Sequence, residues 1–317
     1  MKTDQTNLQA TGIASAAGAY ILWGILPVYW KLIQQVPSEQ ILAHRFIWSF
    51  VFLLAVILVT RKTGTCLSEV SEIVKEPRKL ICVMLASVLI SINWFTFIWA
   101  VNHNHILETS LGYYINPLVS VMLGIIVLKE KLSFWEAVSF LLAIIGVLNM
   151  TFHYGVFPWV ALTLAFSFGL YGLFKKMVDI GAITGITLET LFITPIALTF
   201  VFYVHINGTG AFSINTPMVT ALLMGAGVVT AVPLVLFANG AKRLPLSIVG
   251  FLQYIAPTLT LFLGIFLYHE PFTSSRLTSF IFIWAALTIF SLSKTSWFNQ
   301  MEPVFFKKKG SFDSYNN

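Results

Sequence analysis

Charge is what this chain has least of. Only 10% of its 317 residues are Asp, Glu, Lys or Arg, against 57% hydrophobic residues, and a soluble fold could not bury that much apolar surface. Cysteine is nearly absent too. Cys66 and Cys82 are the only two, both in or beside a stretch that the charge pattern places in the cytoplasm, which argues against a disulfide framework or a redox centre. No Walker loop, no H-E-x-x-H and no G-x-S-x-G occurs, so ATP hydrolysis and the recognised intramembrane protease chemistries lack their residues. No catalytic residue, no cofactor and no enzyme activity is expected. His103-Asn104-His105 has no carboxylate or thiol beside it and predicts no metal site. The first apolar segment has no small-x-small cleavage site and ends in Pro27-Val28-Tyr29-Trp30-Lys31, so it is expected to stay as a helix rather than be removed as a signal peptide.

What the chain has in plenty is apolar length. Hydrocarbon about 30 Å thick calls for about 20 apolar residues per helix, and ten such runs lie near 12–30, 40–60, 80–101, 106–128, 132–151, 156–174, 185–204, 217–239, 246–268 and 276–293. The mean hydropathy of +0.83 agrees. Barrel strands would alternate over about ten residues, and stretches such as Leu53 to Val59 do not. The expectation is an all-α membrane protein of ten transmembrane helices. With the N-terminus in the cytoplasm, 16 of the 19 basic residues fall on the inner side, among them Lys62, Lys129, Lys175, Lys242 and Lys307 to Lys309, while Lys31 and Arg276 fall outside and Arg45 lies within a helix. This positive-inside pattern puts both termini in the cytoplasm. It also accounts for the net charge of +6 without a nucleic-acid partner; the expected partners are the lipid bilayer and a small-molecule substrate. Oligomeric state is left open.

The chain also repeats itself. Asn116-Pro117, Gly124 and Glu130 recur as Ala256-Pro257, Gly264 and Glu270, while Trp23-Gly24 matches Tyr171-Gly172 and Glu39 matches Glu189. Ten helices divide into five and five, and an odd number per half makes the second half enter the membrane from the opposite side. Two inverted repeats are therefore expected, residues 1–151 and 152–295, followed by a cytoplasmic basic tail over 296–317. Such repeats are typical of carriers that alternate access around a midplane site.

Polar residues inside the helices mark where that site would be. On the fourth run Thr109, Tyr113, Asn116, Ser120 and Gly124 share one stripe, and on the ninth Val249, Gln253, Ala256, Thr260 and Gly264 do, each around a proline, Pro117 or Pro257. A proline leaves one carbonyl without its donor, which the membrane tolerates only where neighbours or water satisfy it. Tyr113, Asn116, Gln253 and Tyr254 are expected to line a cavity, with Tyr20, Trp23 and Tyr171 from the aromatic stripes of the first and sixth runs and Asn93 and Trp94 from the third. Ser120, Gly124, Thr260 and Gly264 are expected to serve close helix packing, and Tyr29 and Trp30 to anchor at the interface. Coupling or gating is assigned to Glu39, His44, Arg45, Glu108 and Glu189, with His44 or Glu189 as proton carrier and Arg45 as an electrostatic anchor for a carboxylate or an anionic substrate group.

The stretches AYILWGILPVYWKLI (19–33), EQILAHRFIWS (39–49), INWFTFIWAVNHNHILETSLGYYINPLVSVMLG (92–124), AFSFGLYGLFKK (165–176) and GFLQYIAPTLTLFLGIFLYHEP (250–271) resemble the RarD family, of the EamA-type branch of the drug/metabolite transporter superfamily. The resemblance implies a ten-helix permease of the inner membrane, whose cavity is shaped mainly by helices one to four and six to nine. The expected function is a secondary transporter moving a small organic solute or drug-like metabolite by alternating access. The competing readings are a non-transporting receptor or assembly subunit and a facilitative pore.

Overall fold

The computed structural model describes residues 2–102, 106–154, 157–267, 274–293, Thr295 and Phe298. All its regular elements are helical: α1 Lys2–Lys31, α2 Ser38–Val59, α3 Thr63–Lys75, α4 Pro77–Asn102, α5 Ile106–Ile126, α6 Phe134–Tyr154, α7 Trp159–Met177, α8 Ala182–Ile206, α9 Pro217–Arg243, α10 Leu246–Gln253, α11 Ile255–Phe262 and α12 Ser274–Leu292, with a π-helical turn over Leu263–Leu267. Among the described residues eight apolar stretches are long enough to cross a membrane, the first Leu8–Lys31 and the last Leu246–Leu267, and Leu111–Ile126 and Leu277–Leu292 are shorter apolar helices. The chain is a multi-pass, all-helical membrane protein. His103 to His105, the side chain of Glu108, Glu270 and the tail from Asn299 onward lie outside the described residues.

Two local results differ from a plain hydropathy reading. The polar stretch after α2 contains α3, whose Ile73 is 1% exposed and packs with Val83, Val178 and Ile180. Helix nine is in two pieces, α10 and α11, joined at Tyr254. Pro257 has no N–H to give the Gln253 carbonyl four residues earlier, and the Tyr254 N–H instead reaches back three residues to Phe251 O at 3.3 Å. Pro117, by contrast, sits inside a continuous α5.

The chain forms two compact units, residues 1–124 with 158–270 and residues 125–157 with 271–317. In the second, α6 and α12 pack where Gly146 exposes its backbone to Ser279 and Ile283, and Asn149 Nδ2 donates to Ser279 Oγ at 3.0 Å. In the first, α1 and α2 both pack on α9, α4 on α7, and α2 on α8. Small residues make these approaches close, as expected where lipid supplies no hydrophobic drive between helices. A Cβ on Gly240 would lie 2.7 Å from that of Ala16, and one on Gly227 would collide with the backbone of Trp48 and Ser49. Ser49 Oγ donates to Gly227 O at 3.0 Å across the same contact.

Candidate functional site

The side chains described below belong to the larger unit. Arg45 is the eighth residue of α2 and is half-buried. On insertion scales an arginine at a helix centre costs about 2.5–3.5 kcal/mol, so its surroundings must compensate. Its Nε donates to Thr230 Oγ1 of α9 at 3.0 Å. The guanidinium carbon lies 4.2 Å from the Trp94 ring centroid and 4.9 Å from that of Trp30. Each ring face offsets about 0.5–2 kcal/mol, depending on how dry the contact is. Among the described residues Arg45 has no carboxylate partner. Tyr113 lies within electrostatic reach of it, is 43% exposed and approaches Phe97 at 6.0 Å between ring centroids. Asn116, one turn further along α5, is 8% exposed, and its Oδ1 has no hydrogen-bond partner.

The neighbouring residue His44 is 4% exposed and stacks on Phe212 at 5.1 Å, with Nδ1 unpartnered. Phe212 belongs to the loop between α8 and α9 and also stacks on Trp48. Gln40 of α2 ties that loop to the helix. Gln40 donates through Nε2 to Thr209 O at 2.8 Å and accepts from the Ala211 N–H through Oε1 at 2.7 Å. Glu39, beside it, is exposed in the first turn of α2.

A second polar centre lies between α7 and α8. Lys175 Nζ donates to Glu189 Oε1 at 2.6 Å, Tyr171 OH donates to Glu189 Oε2 at 3.1 Å, and Ser87 Oγ of α4 donates to Glu189 O at 2.8 Å. The two charged side chains are 6% and 4% exposed. Tyr171 and Lys175 are four apart and so share one face of α7. Tyr171 continues into an aromatic cluster: it stacks on Phe237 at 5.8 Å, and Tyr20, Trp23 and Phe168 close around the same ring at 6.2, 5.7 and 5.2 Å. A small void beside the ion pair is lined by Cys82, Phe174 and Ala238.

The remaining sequence candidates hold helices together. Asn93 Nδ2 donates to Leu164 O at 2.8 Å and to Ser167 Oγ at 3.0 Å, tying α4 to α7. Gln253 Nε2 donates to Ser120 Oγ at 3.1 Å, and Tyr254 OH to Tyr114 O at 3.3 Å, where α10 crosses α5. The structure thus gathers Arg45, Trp94 and Tyr113 in one place and Tyr20, Trp23, Tyr171 and Glu189 in another. It does not put Glu39 at the depth of Glu189, which is the eighth residue of α8 and matches Arg45 in that respect. Four contributors were not singled out as site residues from the sequence. Trp30 was read as an interface anchor, Lys175 as one of the cytoplasmic charges, and Thr230 and Phe212 carried no signal at all; only the three- and four-residue spacing of Phe168, Tyr171 and Lys175 pointed to a shared face.

Comparison with known proteins agrees with this architecture. YojE of Bacillus subtilis (strain 168), an uncharacterized transporter, is 53% identical over 90% of this chain and 95% of its own length. Protein RarD of Escherichia coli (strain K12) is 42% identical over 88% of this chain and 93% of its own. A crystal structure at 15% identity superposes with a TM-score of 0.68 over 90% of this chain and 98% of that one, a likeness of fold alone. The profile of the EamA-like transporter family matches twice, over residues 10–152 and again over 158–305. By that doubled match and by its RarD relatives, this chain belongs to the EamA-like transporter family.

Proposed function

We propose that this protein is a secondary transporter that moves a small organic solute across the cytoplasmic membrane by alternating access between two inverted five-helix repeats, 1–151 and 152–295, with 296–317 as a cytoplasmic tail. The doubled family match supports the two halves, and the excess of basic residues in the loops assigned to the inside supports cytoplasmic termini. One observation carries the reading. With the N-terminus inside, α2 runs inward and α8 outward, so Arg45 and Glu189, each eighth in its helix, lie about 10 Å from opposite faces at 1.5 Å per residue. The outer centre holds a cation with no carboxylate partner among the described residues, whereas the inner one is closed by the Lys175–Glu189 pair. A carrier caught with one side sealed has this asymmetry.

Protons fit this scheme through Glu189 or His44. Protonation of Glu189 removes the charge that holds Lys175, so proton uptake and loosening of the inner seal become one event. His44, the other candidate carrier, stands at the outer centre, buried against Phe212 with Nδ1 unpartnered. Uptake and efflux in proteoliposomes, with and without an imposed pH gradient, test both levels. The wild-type protein is expected to accumulate solute against its gradient, and the His44→Gln, Glu189→Gln double variant only to equilibrate it. Accumulation by the double variant eliminates both residues as carriers, and absence of any flux in the wild-type protein refutes transport.

A further inference from the structure

We propose that Arg45, with the rings of Trp30, Trp94 and Tyr113 around it, forms a subsite for a carboxylate carried on a planar aromatic body, which rests on the transporter reading and gives its solute a chemical class. The guanidinium has five N–H donors in a planar fork, and the protein uses one of them, Nε to Thr230 Oγ1. The outer pair of nitrogens is the edge that takes a carboxylate through two parallel hydrogen bonds. No carboxylate of the described residues occupies it. This separates Arg45 from Lys175, which in the same unit is neutralised by Glu189 at 2.6 Å. Arg45 is stabilised instead by the faces of Trp30 and Trp94, which leave its net charge intact.

Those rings also define the body of the ligand. A flat aromatic or heteroaromatic group attached to the carboxylate finds Trp94, Phe97 and Tyr113 alongside, with ring-on-ring contacts of the ordinary kind. Asn116 Oδ1, buried without a partner on the Tyr113 face of α5, accepts from an N–H or O–H of the ligand. A neutral ligand would leave the arginine charge uncompensated inside the membrane, and an aliphatic anion would leave the rings uncovered.

The test is calorimetric titration of the full chain in nanodiscs of zwitterionic phosphatidylcholine with benzoate, phenylacetate and 1-naphthoate, each against its neutral amide. At least one carboxylate is expected to bind about tenfold or more tighter than its amide. Arg45→Lys is expected to remove most of that preference, and Trp94→Leu to weaken the carboxylate about fivefold, while Trp94→Phe, which keeps a ring face, stays near wild type. Should Arg45→Lys fail to fold, the acid-to-amide ratio and the contrast between the two Trp94 variants decide alone. Equal binding of acid and amide, no binding by any of the three acids, or Trp94→Leu indistinguishable from Trp94→Phe overturns the inference. Carboxylate binding without flux in proteoliposomes would sink the transporter reading and leave the subsite standing. Flux of neutral solutes with no preference for acids would do the reverse.

Discussion

Removing one partner of the Lys175–Glu189 pair should cost far more than removing both. Glu189→Gln leaves an ammonium 6% exposed with a neutral amide where its carboxylate was, and Lys175→Met leaves the carboxylate with the Tyr171 hydroxyl as its side-chain donor. Breaking a buried pair in this way costs about 3–5 kcal/mol, whereas apolar replacement of both partners is often neutral. The expected result in mixed-micelle unfolding is a loss of about that size for each single variant and a loss of under about 2 kcal/mol for Lys175→Met with Glu189→Met, which is strong non-additivity between contacting residues. Cys82 supplies a second readout without an added probe, because it is half-buried and borders the void next to the pair. In a Cys66→Ser background, maleimide labelling of Cys82 should quicken in the single variants if the pair seals this end. Additive single losses, or labelling rates that do not move with them, would refute the assignment of the pair as a seal.

Three further outcomes are specific enough to check. Gly227→Leu should abolish stable insertion, because any Cβ there meets the backbone of α2 at Trp48 and Ser49; normal yield and flux would contradict the α2–α9 packing. Reporter fusions after Asn207 should read outside and those after Thr65 or Met177 cytoplasmic, and the reverse pattern overturns the orientation. Asp179, in the loop between α7 and α8, is held below its ordinary pKa of 3.8 by the hydrogen bond and charge of Lys242. A depressed pKa means that its contribution is complete above the unfolded value and disappears as pH falls through the folded one, so Asp179→Asn should leave stability unchanged in its dependence on pH from about 5 to 9; a difference that grows across that range would show another group titrating.

The sequence made the membrane helices visible because length and hydropathy are local properties. α3 was missed for the same reason: its buried residue is Ile73, set against Val83, Val178 and Ile180, and a window of about 20 residues averages a single buried isoleucine into its polar neighbours. Arg45 stood out as a charge in an apolar helix, but the identity of its surroundings did not. Carboxylates were the obvious partners, and among the described residues the protein instead supplies two indoles, one of them Trp30, which near a helix end looks the same as an interface anchor. Lys175 illustrates the converse. A lysine at the end of a membrane helix counts toward orientation wherever its side chain goes, and only the fold, by folding α8 back on α7, shows that this one turns inward to Glu189. Repeats read from motif identity align Glu39 with Glu189, yet depth along the helix aligns Arg45 with it, because α8 begins further upstream of its glutamate than α2 does.

Gln40 treats the loop before α9 as a neighbouring strand would. Its amide gives one hydrogen bond to the carbonyl of Thr209 and takes one from the N–H of Ala211, the two-way exchange that paired backbones make in a sheet, here offered by a single rotatable side chain. The two bonds together fix where this stretch of loop backbone sits, and the ring of Phe212 is held with it against His44 and Trp48. A residue one methylene shorter would hold neither bond at the same backbone spacing. Position 40 is accordingly a place where one codon change, to histidine, glutamate or lysine, breaks this two-way pairing at the loop whose Phe212 covers His44.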